Sequence, residues 1–212
     1  MNEIACHGLP DDRPLEVGDL VSIDVAVFKD GFHGDCSRTF LIHPKAEEDN
    51  ASNLSLPRDW EDRKHLLTCA KECLYAGIST CGPQVPFRKV GHTIYSIAKR
   101  RKVTTLTSIA GHGIGRSLHA APNIYHGRNN YPGVMMPGMV FTIGPCLSMG
   151  EGASSKVVTL AVERDSGVLV GYEAAPVSSR DYRPTAQFEH TVLITDWGVE
   201  VLTGSLFSAS QK

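Results

Sequence analysis

Nothing in the 212 residues is long and apolar enough to span a membrane, and Met1-Asn2-Glu3-Ile4 carries neither the basic nor the apolar region of a secretory signal. The six cysteines include no Cys-x-x-Cys pair, so without a signal they read as reduced thiols: Cys69 and Cys73 in the core, Cys6, Cys36 and Cys146 near strands. Charge of either sign is nearly balanced, with a net of -2 and a pI near 6.5, which argues against a nucleic-acid or membrane surface as partner. The glycine-rich stretch Ala110 to Pro122 lacks the lysine and following serine or threonine of a phosphate cradle. No internal repeat is evident. These absences point to a cytoplasmic setting, or to an organellar one if a longer N-terminus carries an address. What the chain does have is 42% hydrophobic and 21% charged residues, enough to bury a full core as one domain or one and a half.

The organising stretch is Val21 to Ser37. Val21, Ile23, Val25 and Val27 alternate with smaller or polar residues, the period of a half-buried strand. Asp30-Gly31 supplies the positive-φ residues of a tight hairpin turn. A turn centred there pairs Ala26 with Asp35 and Asp24 with Ser37. Both aspartates then share one face as diagonal neighbours, roughly 7–8 Å apart at the backbone. Two like charges on a buried face repel unless a cation lies between them, and a divalent ion is the simple remedy. A solvated edge strand with two outward aspartates is the bland alternative.

Elsewhere the periodicity predicts a helix over 58–76, stopped by Gly77 and then Gly82-Pro83, and a second over 86–102. Lys99-Arg100-Arg101-Lys102 reads as a solvated cap at the C-terminus of the second helix rather than a nucleic-acid patch. The segment 44–57 reads as a loop. The stretch around Gly111-His112-Gly113 is too irregular for a helix or plain strand, but its glycines let the backbone pass close to something while the imidazole points at it. Two β-rich runs between Lys156 and Val170 flank Asp165-Ser166-Gly167 as a second hairpin, and 174–185 reads as a loop. The final strand, Gln187 to Ile194, is so apolar that Glu189 within it is expected to be paired or metal-bound.

With Cys6-His7-Gly8, Ile23-Asp24-Val25, His33-Gly34-Asp35, Gly111-His112-Gly113-Ile114-Gly115-Arg116, His119 with Pro122, and Phe188-Glu189-His190-Thr191 in this order, the chain resembles a type I methionine aminopeptidase of peptidase family M24. The resemblance implies an α+β pita-bread fold with an antiparallel sheet backed by helices. It implies a catalytic domain over 1–204, partial at its N-terminus, followed by a tail over 205–212. It assigns Asp24, Asp35, His112 and Glu189 as metal ligands, and His7 and His119 as catalytic residues that contact the substrate. Paired divalent ions (Co, Mn, Fe or Zn) in such a site acidify a water and polarise the scissile carbonyl. The implied substrate is the N-terminal peptide of nascent proteins, with the ribosome as a candidate partner, no nucleic-acid or membrane partner, and a monomeric state.

The sequence departs from that pattern in four places. The family's fifth ligand, a glutamate before the proline that follows Val140-Phe141-Thr142-Ile143, is Gly144 here. Glycine offers neither charge nor base, and Glu151 is too far along to replace it. One ion is therefore expected to bind well, through Asp24, Asp35 and Glu189, and a second poorly. Leu118 stands where the family has an aromatic residue at the methionine pocket. The family also carries additional residues before the Cys-His-Gly stretch, and the segment between Gly144 and Glu189 is long. The expected function is removal of N-terminal methionine with impaired turnover; the alternative is a pseudo-peptidase that serves as a peptide-binding module.

Overall fold

The computed structural model describes residues 1–9, 11–44, 56–150, 155–157, 162–163, 169–170 and 176–204. The hairpin that leads the sheet is β2 (Leu20–Lys29) and β3 (Phe32–Leu41), paired throughout with Ala26 opposite Asp35 and Asp24 opposite Ser37. That is the predicted register. Its turn has Asp30 at φ 51° and Gly31 at φ 87°, the two positive-φ residues a hairpin of this length requires.

Two helices follow, α1 (Trp60–Ser79) and α2 (Arg88–Arg100). Leu66, Cys69, Cys73 and Leu74 of α1 and Val90 and Ile94 of α2 are buried against Phe141, Ile143 and Val192 of the sheet. Each such large side chain contributes roughly 1.5–3 kcal/mol through burial, so this layer is the main adhesive of the fold. Gly77 does not end α1. It lies inside the helix, where an added Cβ would sit 3.0 Å from Ile94 Cδ1, so its bareness lets α1 and α2 approach.

The main sheet is completed by β5 (Ala110–Gly113), β6 (Ala120–Tyr125), β7 (Val140–Ile143) and β13 (Thr185–Ile194), in the order β2-β3-β13-β7-β5-β6. β4 (Val103–Thr105) pairs with β8 (Cys146–Met149); β8 and β14 (Val199–Val201) pair with β13. A smaller sheet joins β1 (Ile4–Cys6), β12 (Val177–Ser179) and β9 (Ser155–Val157). β12 lies in the stretch expected to be a loop; ladders on both sides, with β1 and β9, make it a strand despite weak local propensity. β10 (Val162–Glu163) pairs with β11 (Leu169–Val170), the arms of the expected second hairpin. The turn Asp165-Ser166-Gly167, Glu151, most of the 44–57 loop and the tail 205–212 lie outside the described residues.

The stretch around His112 is also more regular than expected. His112 sits on strand β5, packed so closely that a Cβ on Gly111 would fall 2.1 Å from the Thr142 carbonyl oxygen of β7. The valine face of β2 corrects a further expectation. Ile23, Val25 and Val27 are 53%, 47% and 56% exposed rather than half-buried, because β2 is the edge strand and no other described residue covers that face.

Candidate metal centre

Three donors from distant parts of the chain converge. Ligand atoms of Asp35 on β3, His112 on β5 and Glu189 on β13 all lie within 4.8 Å of one another. His112 Nε2 is 3.8 Å from Asp35 Oδ2. Asp35 Oδ1 is buried and has no hydrogen-bond partner, and the adjacent Ser37 Oγ is in the same condition. Two carboxylates and an imidazole, with an orphaned buried carboxylate oxygen among them, suit a divalent cation better than any neutral arrangement.

Threonines fix the strands that carry these donors. β3 and β13 pair directly only at Phe188 with Arg38 and at Glu189 with Ser37. On one side, Thr191 Oγ1 accepts from Asp35 N–H at 3.1 Å and donates to the Asp35 carbonyl at 2.7 Å. On the other, Thr39 Oγ1 donates to the Gln187 carbonyl and accepts from Gln187 N–H, both at 2.8 Å. These hydroxyls replace missing ladder bonds and hold Asp35 diagonally beside Glu189, whose direct partner is Ser37.

Thr142 on β7 does the same between the other two donors. Its hydroxyl accepts from His112 N–H at 3.1 Å and donates to the Glu189 carboxyl. His112 Nδ1 lies 3.2 Å from the Gly113 carbonyl, which can only accept, so the proton sits on Nδ1 and the Nε2 lone pair faces Asp35. That is the tautomer a metal ligand needs.

Electrostatics agree with the geometry. Burial, and then the Asp35 charge, push Glu189 up to about 8, against hydrogen bonds from Thr142 and Gln187 that pull it down. Asp24 rises to about 6, first from desolvation and then from Asp35, its neighbour across the hairpin. Asp24 counts as exposed because it lies on the edge strand, but its carboxyl end is shielded where it meets Asp35. It is not in the three-donor group, which joins Asp35 and Glu189 to His112.

The bare Cα of Gly144 leaves room for the Glu189 carboxylate. A Cβ there would lie 2.5 Å from Glu189 Cδ and 2.6 Å from Oε2. The Glu189 carboxylate therefore occupies the space that a residue-144 side chain would need, held by Gln187 Nε2 at 3.2 Å.

His119 is exposed at the rim, its ring 4.3 Å from that of His112 at an interplanar angle of 75°. Burial and the neighbouring His112 lower its pKa, which keeps it neutral near pH 7. His7 follows β1 at φ 56°, exposed, and close enough to Asp24 and His119 to act on both electrostatically. An open cleft of about 1240 Å³ is lined by His7, Asp24, Ser37 and Gln187 among others. Sequence reasoning gave no role to Thr142, Gln187, Thr191 or His126. Gln187 and Thr191 stand two residues either side of Glu189 and share its face, a signal that was available; a lone buried histidine gives none.

The sequence profile of metallopeptidase family M24 matches residues 1–196. The chain belongs to metallopeptidase family M24. It is 37% identical over 203 residues to methionine aminopeptidase 1D, chloroplastic/mitochondrial, from Arabidopsis thaliana, covering 96% of this chain and 50% of that protein. Among solved M24-like structures it superposes on the methionine aminopeptidase of Rickettsia prowazekii with a TM-score of 0.74 and 32% identity, over 94% of this chain and 70% of that one. The Thermotoga maritima methionine aminopeptidase gives a TM-score of 0.75 at 29% identity, over 95% and 71%. The α+β fold is thus the pita-bread architecture of M24, and the chain spans about half the length of the curated relative it matches. No described helix is long and apolar enough to cross a membrane.

Proposed function

We propose that this M24 chain is a metal-dependent aminopeptidase that removes N-terminal methionine through a centre holding one divalent ion on Asp35, His112 and Glu189. The observation that carries the reading is the convergence of these three donors around the orphaned Asp35 Oδ1. A divalent ion bound there supplies Lewis acidity toward the scissile carbonyl and lowers the pKa of a water.

The chain's own residues supply the rest. Thr191 and Thr142 hold Asp35 and Glu189 in place, so the donors are arranged before an ion arrives. Neutral His119, edge-on to His112 and open to solvent, can donate a hydrogen bond to a peptide carbonyl or accept one from an amine. His7 and Asp24 line the cleft through which an extended N-terminal peptide would enter. Asp24 lies against Asp35 and offers a carboxylate to the free amino group or to a weak second ion.

Gly144 favours a second reading, a binding module with little turnover, because no carboxylate at that position can act as a base. The test is bound-metal content and hydrolysis of a methionyl peptide with added Mn or Co, for the chain and for Asp35→Ala. Weak, metal-dependent hydrolysis lost together with bound metal in Asp35→Ala is expected. Hydrolysis that survives both a chelator and Asp35→Ala would overturn the metal-dependent reading, and no hydrolysis or peptide binding under any condition would overturn the aminopeptidase reading. Tight peptide binding without hydrolysis would select the binding module.

A further inference from the structure

We infer that His126 is a positioning residue that sets the spacing between His112 and Glu189 through the peptide of Gly144. His126 is 1% exposed and lies outside the three-donor group. Its Nε2 accepts the Gly144 N–H at 3.1 Å, and its Nδ1 lies 3.3 Å from the Ile109 carbonyl. A peptide N–H only donates and a carbonyl only accepts, so both contacts demand the neutral ring with its proton on Nδ1. Desolvation, which lowers the pKa of this ring to about 4, keeps it in that form.

The contacts continue on both sides. Ile109 immediately precedes β5, the strand that carries His112. The carbonyl of Gly144 accepts from Gln187 Nε2 at 3.4 Å, and the same amide donates to Glu189 Oε2 at 3.2 Å. Hydrogen bonds, joined through the Gly144 backbone, therefore link the foot of the imidazole ligand's strand by way of His126 and Gln187 to the glutamate ligand. Gly144 has no side chain to pin it, and its Cα borders the Glu189 carboxylate. The ring of His126 thus holds the N–H on one side of the Gly144 Cα while Gln187 holds the carbonyl on the other. Displacement of the peptide would move the surface on which Glu189 rests, and support of this kind is worth roughly 10–100-fold in metal affinity.

The inference rests on the metal-centre reading, and the two fail differently. Co(II) binding to the intact chain is followed by calorimetry and by its visible spectrum, alongside His126→Asn and His126→Gln. Asn keeps a donor near the Nδ1 position but loses the acceptor for Gly144; Gln places an acceptor near the Nε2 position. At equal thermal stability, Asn should weaken Co(II) binding at least about 10-fold and shift the spectrum, whereas Gln should stay within about threefold. Both variants binding as the parent does, or both losing affinity in step with stability, would overturn the inference. If either variant fails to fold, amide exchange in the parent decides. Because coupling is reciprocal, Co(II) should slow exchange at the Gly144 amide, and unchanged exchange refutes the linkage. A parent chain that binds no Co(II) at all refutes the metal centre itself.

Discussion

Replacing Gly144 should change how many ions the protein holds. An alanine Cβ would stand 2.5 Å from Glu189 Cδ, 2.6 Å from Oε2 and 2.9 Å from Cγ, against the roughly 3.5–4.0 Å at which carbon atoms rest. The Gly144 backbone is fixed by His126 and Gln187, so the Glu189 carboxylate has to swing away. It then gives up its hydrogen bonds to Gln187 and Thr142, each worth about 1.5–3 kcal/mol for a charged acceptor. In Gly144→Ala nothing replaces the lost donor, and the first ion should bind on the order of 100-fold more weakly, a loss of about 3 kcal/mol. In Gly144→Glu the new carboxylate takes the vacated place beside His112. Glu189 is driven toward Asp24 and Asp35, and a second ion gains a site. Calorimetry and metal analysis should report one Mn or Co per chain for the parent and two for Gly144→Glu, with a large gain in methionyl-peptide hydrolysis. The reasoning is refuted if Gly144→Ala binds the first ion as tightly as the parent, or if Gly144→Glu remains at one ion without faster turnover.

Three further expectations concern the scaffold of the site. Thr191→Val should strip Asp35 of two buried backbone hydrogen bonds, lowering stability by about 2–4 kcal/mol in chemical denaturation and weakening metal binding with it; a loss below 0.5 kcal/mol would contradict the clamp. Gly111→Ala puts a Cβ 2.1 Å from a backbone oxygen of β7 and should prevent β5 from docking, so soluble, cooperatively melting protein would tell against that packing. The pKa of Glu189 is raised from 4.5 to about 8 on folding, so the metal-free folded state binds that proton more tightly than the unfolded chain does. Its contribution is complete below about 4.5 and is lost as pH rises through about 8, an effect of at most roughly 5 kcal/mol. Asp24, raised from 3.8 to about 6, acts in the same direction. Metal-free protein should therefore lose several degrees of Tm between pH 5.5 and 8.5, and added Mn should stabilise it more at the higher pH because ions compete with protons. A metal-free Tm that rises over that interval would reverse the sign.

The hairpin was legible because its determinants are local. Asp30-Gly31 sets the turn, the turn sets the register, and a period of two puts Asp24 and Asp35 on one face. Glu189 was legible because a carboxylate stands out in a run of β-formers, and the helices because their apolar residues recur at helical steps. Local pattern misled where a neighbour decides the outcome. Gly77 ends a helix on propensity but admits Ile94 in the packed layer, and the valines of β2 alternate as buried residues do although nothing described covers them.

Residue type and order along the chain pointed to the family, the turn and the candidate donors, since each is written into a few adjacent positions. Which donors meet was settled only by assembly of β3, β5, β7 and β13. The reach of Glu189 into the bare space at Gly144, the threonine clamps and the support from His126 join residues far apart in sequence. Their contacts are matters of a few tenths of an ångström, which packing fixes and a linear pattern does not carry.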